Sequence, residues 1–182
     1  ARENRREAWE FAATILTIVT VAVAALTVLG IVFAPMLVGV LAYGFRLTPE
    51  RLRLTITLNR IMFPYIFLIS LSAFAMGVLN SFHKFSASAF APVLLNLSVI
   101  AASFFAGAFA EPSMTLAIGV VVGGILQVAI QIPSLLKTGW YPRFRWDLAN
   151  PGLQRVMRLM LPVVFGVGVV QMGAGQQPMD FG

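Results

Sequence analysis

Five stretches of this chain contain no aspartate, glutamate, lysine or arginine: residues 11–45, 61–82, 85–110, 112–136 and 159–179. A helix needs about 20 largely apolar residues to cross the roughly 30 Å hydrocarbon core of a bilayer, because each residue advances the axis by about 1.5 Å. The first four runs exceed that length, and the fifth does so only if the Gly/Gln-rich sequence after Gln171 is counted. Inside lipid every backbone N–H and C=O must be bonded within the protein, so runs of this kind spell helices. The expected fold class is therefore all-α, a polytopic transmembrane helix bundle.

Composition agrees. Apolar residues make up 59% of the 182 and charged residues 11%, with a mean hydropathy of +0.87. Soluble domains carry roughly a quarter charged residues. There is no cysteine, which excludes a disulfide framework, a thiolate metal site and thiol redox chemistry. His83 has no acidic or histidine neighbour at ligand spacing, so it reads as an interfacial polar residue and no metal site or cofactor is expected. A net charge of +6 raises the question of nucleic acid. The basic residues, however, flank the apolar runs and form no basic stripe interleaved with exposed aromatics. Membrane lipids are the expected partners and nucleic acid is not.

The runs and their punctuation predict helices over about 7–41, 50–80, 88–109, 112–136 and 153–171. Gly30 and Pro35 are expected to bend the first near its far end. Thr48-Pro49-Glu50 has the form of a helix start, with an N-cap threonine, proline at the first position and an acid in the first turn. A short His83-Lys84 turn separates the second and third helices, and Glu111-Pro112 the third and fourth. Residues 137–158 form the one long connection, a basic loop. From Pro151 it holds an amphipathic turn that either rests in the interface or simply begins the fifth helix. Residues 172–182 form an atypical tail, and the two ends of the chain read as cuts through a longer polypeptide.

The amino terminus, the His83 turn and the 137–158 loop fall on one side with nine Lys and Arg, against four on the other. The positive-inside rule puts the richer side, and residue 1, in the cytoplasm.

No acid lies deep in an apolar run, and no nucleophilic triad, phosphate-cradling glycine loop or metal cluster is visible, so catalysis is not expected. The weak candidates for binding are Arg60, Asn96, Gln127 and Gln131. Each polar group in lipid must find a partner, and either interhelical bonding or a path for a polar headgroup would supply one. Gln127 and Gln131 are four apart and share a helix face. Arg60 either snorkels to the interface or meets an anionic headgroup. Gly119/Gly123 and Ala73/Gly77 are small-xxx-small pairs that would let helices approach closely. Pro64, Pro92, Pro133 and Pro162 each remove a backbone donor and mark kinks or helix ends.

The segments Arg60-Ile61-Met62-Phe63-Pro64-Tyr65, Gly77-Val78-Leu79-Asn80-Ser81 and Ala89-Phe90-Ala91-Pro92-Val93-Leu94-Leu95-Asn96 resemble the MurJ/MviN family. Glu7-Ala8-Trp9 and Gly123-Gly124-Ile125-Leu126-Gln127 agree, and the resemblance covers residues 7–171. That family comprises lipid II flippases of the MOP exporter superfamily, membrane proteins of the bacterial cytoplasmic membrane that serve peptidoglycan and cell-wall synthesis. The resemblance implies about fourteen helices in two halves that rock around a central cavity, of which this chain matches the third to sixth and the start of the seventh. It implies lipid II as the partner and transport by alternating access. The family's essential arginines and acid lie mainly on the first, second and eighth helices, so none maps onto this sequence. Another MOP-type exporter, for oligosaccharide-lipids or drugs, and an inactive structural fragment remain as alternatives.

Overall fold

A computed structural model describes residues 2–41, 49–108, 111–147 and Arg158. Among the described residues five α-helices follow in order: α1 (Arg2–Val32), α2 (Ala34–Leu41), α3 (Pro49–Ser81), α4 (Phe85–Phe104) and α5 (Pro112–Leu136). A 3-10 turn, Ala106–Ala108, follows α4. Among the described residues, four helical stretches are long and apolar enough to cross a membrane: Glu7–Val32, α3, α4 and α5. The described chain is thus an all-α, multi-pass membrane architecture.

Two compact units are distinguishable. One comprises Ala1–Ile15 with Phe144–Gly182, the other Leu16–Arg143. In the first, the Arg145 guanidinium lies 3.2 Å from Glu10 Oε2 and 3.6 Å from Asp147 Oδ2. All three side chains are about a third or more exposed, so solvent screens the pairs and each is worth at most about 1 kcal/mol. Thr14 satisfies its hydroxyl on its own helix by donating to the Glu10 carbonyl at 3.0 Å.

In the second unit α3 and α4 form a hairpin, α5 packs against both, and α2 lies along α3. Small residues make the α5 seam possible. A Cβ added at Gly119 would come within 2.5 Å of Ala102 Cβ, and one at Gly123 within 3.0 Å of Leu95 Cα. Side chains of any size there would force α4 and α5 apart. By contrast, Gly77 has nothing within 4 Å of its notional Cβ, and Ala73 is exposed.

The first helix departs from its expected single span of 7–41. It begins by Arg2 and is interrupted at Phe33, where a one-residue turn separates α1 from α2. Pro35 explains the break: it has no N–H for the carbonyl of Ile31 four residues back. The flanking bonds persist, Phe33 N–H to the Leu29 carbonyl at 2.8 Å and Leu37 N–H to the Phe33 carbonyl at 3.0 Å. Pro64, Pro92 and Pro133, in contrast, lie inside uninterrupted α3, α4 and α5. α4 starts at Phe85 and ends at Phe104, earlier at both ends than the expected 88–109.

The early start of α4 follows from how tightly α3 is terminated. The Lys84 N–H bonds the Leu79 carbonyl at 3.0 Å and the His83 N–H bonds the Asn80 carbonyl at 3.0 Å. His83 is left-handed, with φ 56°. This is the paired-bond helix stop usually built on glycine, and it reverses the chain in three residues. The Ser88 hydroxyl then donates to Asn80 Oδ1 at 3.0 Å, clipping the two arms together.

After α5, Gly139 (φ 83°) turns the chain so that Trp140 is buried against α3, its ring 5.8 Å from that of Phe74. The anticipated cap Thr48, the amphipathic turn beyond Asn150 apart from Arg158, the helix 153–171 with Pro162 and the 172–182 tail lie outside the described residues.

Candidate functional site

The four residues singled out from sequence occupy three separate settings. Gln127 and Gln131 are buried together on the face of α5 that meets α3. Gln131 Nε2 donates to Ser72 Oγ on α3 at 2.5 Å and to the Gln127 carbonyl at 3.0 Å. Gln131 is fully buried and Ser72 nearly so. The side-chain carbonyl oxygens of both glutamines are buried without a hydrogen-bond partner. A buried acceptor left unpaired costs about 1–3 kcal/mol, so this cluster is held by its surroundings at some expense. It is an interhelical polar joint, closed off from the surface.

Asn96 is placed differently. Exposed on α4, it lines an open niche of about 570 Å³ with Tyr65 of α3, Leu95, Val99 and Ile100 of α4, and Val120 of α5. The floor is apolar, and Asn96 and Tyr65 bring the amide and phenol. Such a niche suits an amphipathic ligand that lays hydrocarbon on the floor and meets an amide at its edge. A second groove of about 540 Å³, between α4 and α5, is almost wholly apolar and has only Ser98 and Thr115 as polar lining residues.

Arg60 lies apart from both. It is exposed on α3, just before the charge-free run, and its Nε donates to the Ile31 carbonyl of α1 at 3.2 Å. Above it on α3, Thr55 and Thr57 donate to the Arg51 and Arg53 carbonyls at 2.8 and 3.0 Å, satisfying themselves within the helix. His83 packs edge-on against Phe85 at 6.1 Å, and among the described residues no group of three His, Cys, Asp or Glu could hold a metal ion.

Sequence reasoning missed Ser72, Ser88 and Trp140. Ser72 lies 59 residues from its partner Gln131, and no local spacing links them. Ser88 was within reach, since it follows Asn80 by eight residues across a short turn.

The arrangement of a proline-bearing hairpin sealed by a small-residue helix is matched by a specific likeness in sequence. The profile of the family described as "Lipid II flippase MurJ" matches residues 1–175. The chain belongs to the MurJ lipid II flippase family. Its relatives include a lipid II flippase MurJ of Burkholderia cenocepacia, 42% identical over 161 residues, covering 86% of this chain and 31% of the relative. A probable lipid II flippase MurJ of Buchnera aphidicola subsp. Acyrthosiphon pisum is 39% identical over 172 residues, 93% of this chain and 33% of that protein. One from Bdellovibrio bacteriovorus is 36% identical over 148 residues, 80% of this chain and 28% of the relative. The chain thus spans about a third of the length of the MurJ relatives it matches.

Proposed function

We propose that this chain is part of a lipid II flippase, which carries the undecaprenyl-pyrophosphate-linked peptidoglycan precursor across the bacterial cytoplasmic membrane by alternating access. The observation that carries this reading is the family match over residues 1–175. The relatives' names favour lipid II over the oligosaccharide-lipids or drugs of other MOP-type exporters, and transport over catalysis. In this reading α1 to α5 supply wall and scaffold. Residue 1, the His83 turn and the basic segment after α5 face the cytoplasm, as their excess of Lys and Arg favours.

Among the four candidate residues, Asn96 is the one we assign to contact with a passing polar headgroup, because it is exposed in an amphipathic niche. Gln127 and Gln131 are structural in this assignment, since Gln131 is already bonded to Ser72. The decisive experiment is reconstitution of the full-length parent protein in proteoliposomes with labelled lipid II under a membrane potential. Transbilayer movement of lipid II, and not of an oligosaccharide-lipid or a cationic dye, is expected. Failure to move lipid II in vesicles that hold folded protein would sink the assignment.

A further inference from the structure

We infer that Arg60 is a positioning residue: its guanidinium takes the backbone carbonyl that Pro35 leaves without a donor, and so holds the break between α1 and α2 at one angle. The argument begins with the missing bond. In an unbroken helix the Ile31 carbonyl would accept from the N–H of residue 35, which in this chain is proline. That carbonyl also belongs to the last turn of α1, the negative end of its dipole, where a cation is favoured. Arg60 Nε fills the vacancy at 3.2 Å from the adjoining helix, 29 residues along the chain.

Two further observations fit. Counting from Phe11, the first residue of the charge-free run, 20 residues at about 1.5 Å each bring α1 to Gly30, roughly the thickness of the hydrocarbon core. Ile31 therefore lies where α1 leaves lipid. On α3, Arg60 immediately precedes the charge-free run that begins at Ile61. The two groups meet at the same level, where water is scarce enough to strengthen a charge-assisted bond and near enough to keep the guanidinium hydrated. The packing is also close one residue earlier: a Cβ at Gly30 would overlap the ring of Phe63 on α3, so with that ring in place glycine is what lets α1 come this close. A freely snorkelling arginine needs neither feature.

The test uses the full-length parent protein in nanodiscs, in a cysteine-free background with spin labels at Ala22 on α1 and Val40 on α2, both exposed. Pulsed dipolar spectroscopy reads the distribution of distances across the break. Arg60→Met is expected to broaden it on the order of twofold, and Arg60→Lys to broaden it less. In the Pro35→Ala background, where residue 35 regains its N–H, Arg60→Met is expected to change nothing. No broadening by Arg60→Met in the proline background, or the same broadening in both, overturns the inference. Should Arg60→Met alone fail to accumulate, its accumulation together with Pro35→Ala supports the inference, and failure in both backgrounds overturns it.

Discussion

At the scale of single residues, His83 carries the plainest consequence. It occupies the left-handed position of the α3 stop at φ 56°, a conformation that costs an L-residue about 1 kcal/mol and a β-branched one more. Replacing His83 by glycine should leave the melting temperature of the purified protein unchanged or raise it slightly. His83→Val should lower stability by about 1–2 kcal/mol. The Ser72–Gln131 bond makes a second prediction. Bonds between membrane helices are worth about 0.6 kcal/mol on average and up to about 1.7. This one is short and buried, so a double-mutant cycle of Ser72→Ala and Gln131→Leu, read by unfolding in mixed micelles, should give a coupling of about 1 kcal/mol. A coupling near zero would return Gln131 to the pool of substrate-contacting candidates. Of these contacts the sequence made the glutamines visible, as amides inside an apolar run that had to bond something. The partner was not visible, because a serine on α3 has the same local signature whether it bonds its own helix, as Ser70 does with the Ile66 carbonyl at 2.8 Å, or a glutamine on another.

The elements show a similar division. Charge-free runs mark helices because lipid admits nothing else of that length. They mark ends poorly, since the bilayer constrains only the apolar middle of a helix. α3 spans Pro49–Ser81, about 50 Å, longer than the roughly 30 Å hydrocarbon core, so the bilayer alone does not set its ends. Proline is an equally partial guide: Pro35 coincides with a break, while Pro64, Pro92 and Pro133 are absorbed. Likewise two small-xxx-small pairs read alike in sequence, and only Gly119/Gly123 is used as a seam among the described residues. That asymmetry is testable. Gly123→Val would drive its Cβ to 3.0 Å from Leu95 Cα, a backbone atom that cannot swing aside. It should cost about 1–3 kcal/mol by overpacking. Gly77→Ala meets nothing within 4 Å and should stabilise α3 by about 0.5–1 kcal/mol. Melting curves of the two variants, measured side by side, should move in opposite directions.

For the whole molecule, the exposed side chains carry the message. Leu26, Val32, Met36, Phe90, Phe104 and Ile125 are all more than half exposed, an apolar surface fit for lipid or for further membrane helices. In the proposed transport reading the amphipathic niche, not the buried joint, is the place to look for an effect on movement. In the reconstituted parent protein Asn96→Leu should slow lipid II movement roughly tenfold while leaving the melting temperature in place, the cost expected for losing one hydrogen bond to a charged or strongly polar headgroup. Gln131→Leu should do the reverse, shifting stability with little effect on the movement that folded protein supports. Equal flipping by the Asn96 variant would remove the niche from the path.

The stop at His83 also bears on the order in which this wall is built. Its two backbone bonds and the Asn80–Ser88 clip join residues no more than eight apart, and contacts that local close fast. α3 and α4 can therefore double back on one another while the chain is still being delivered, entering the bilayer as a paired insert. α5 closes this hairpin through more distant contacts: its glycines meet α4, Gln131 meets Ser72 across 59 residues, and Trp140 beyond it packs on Phe74 of α3.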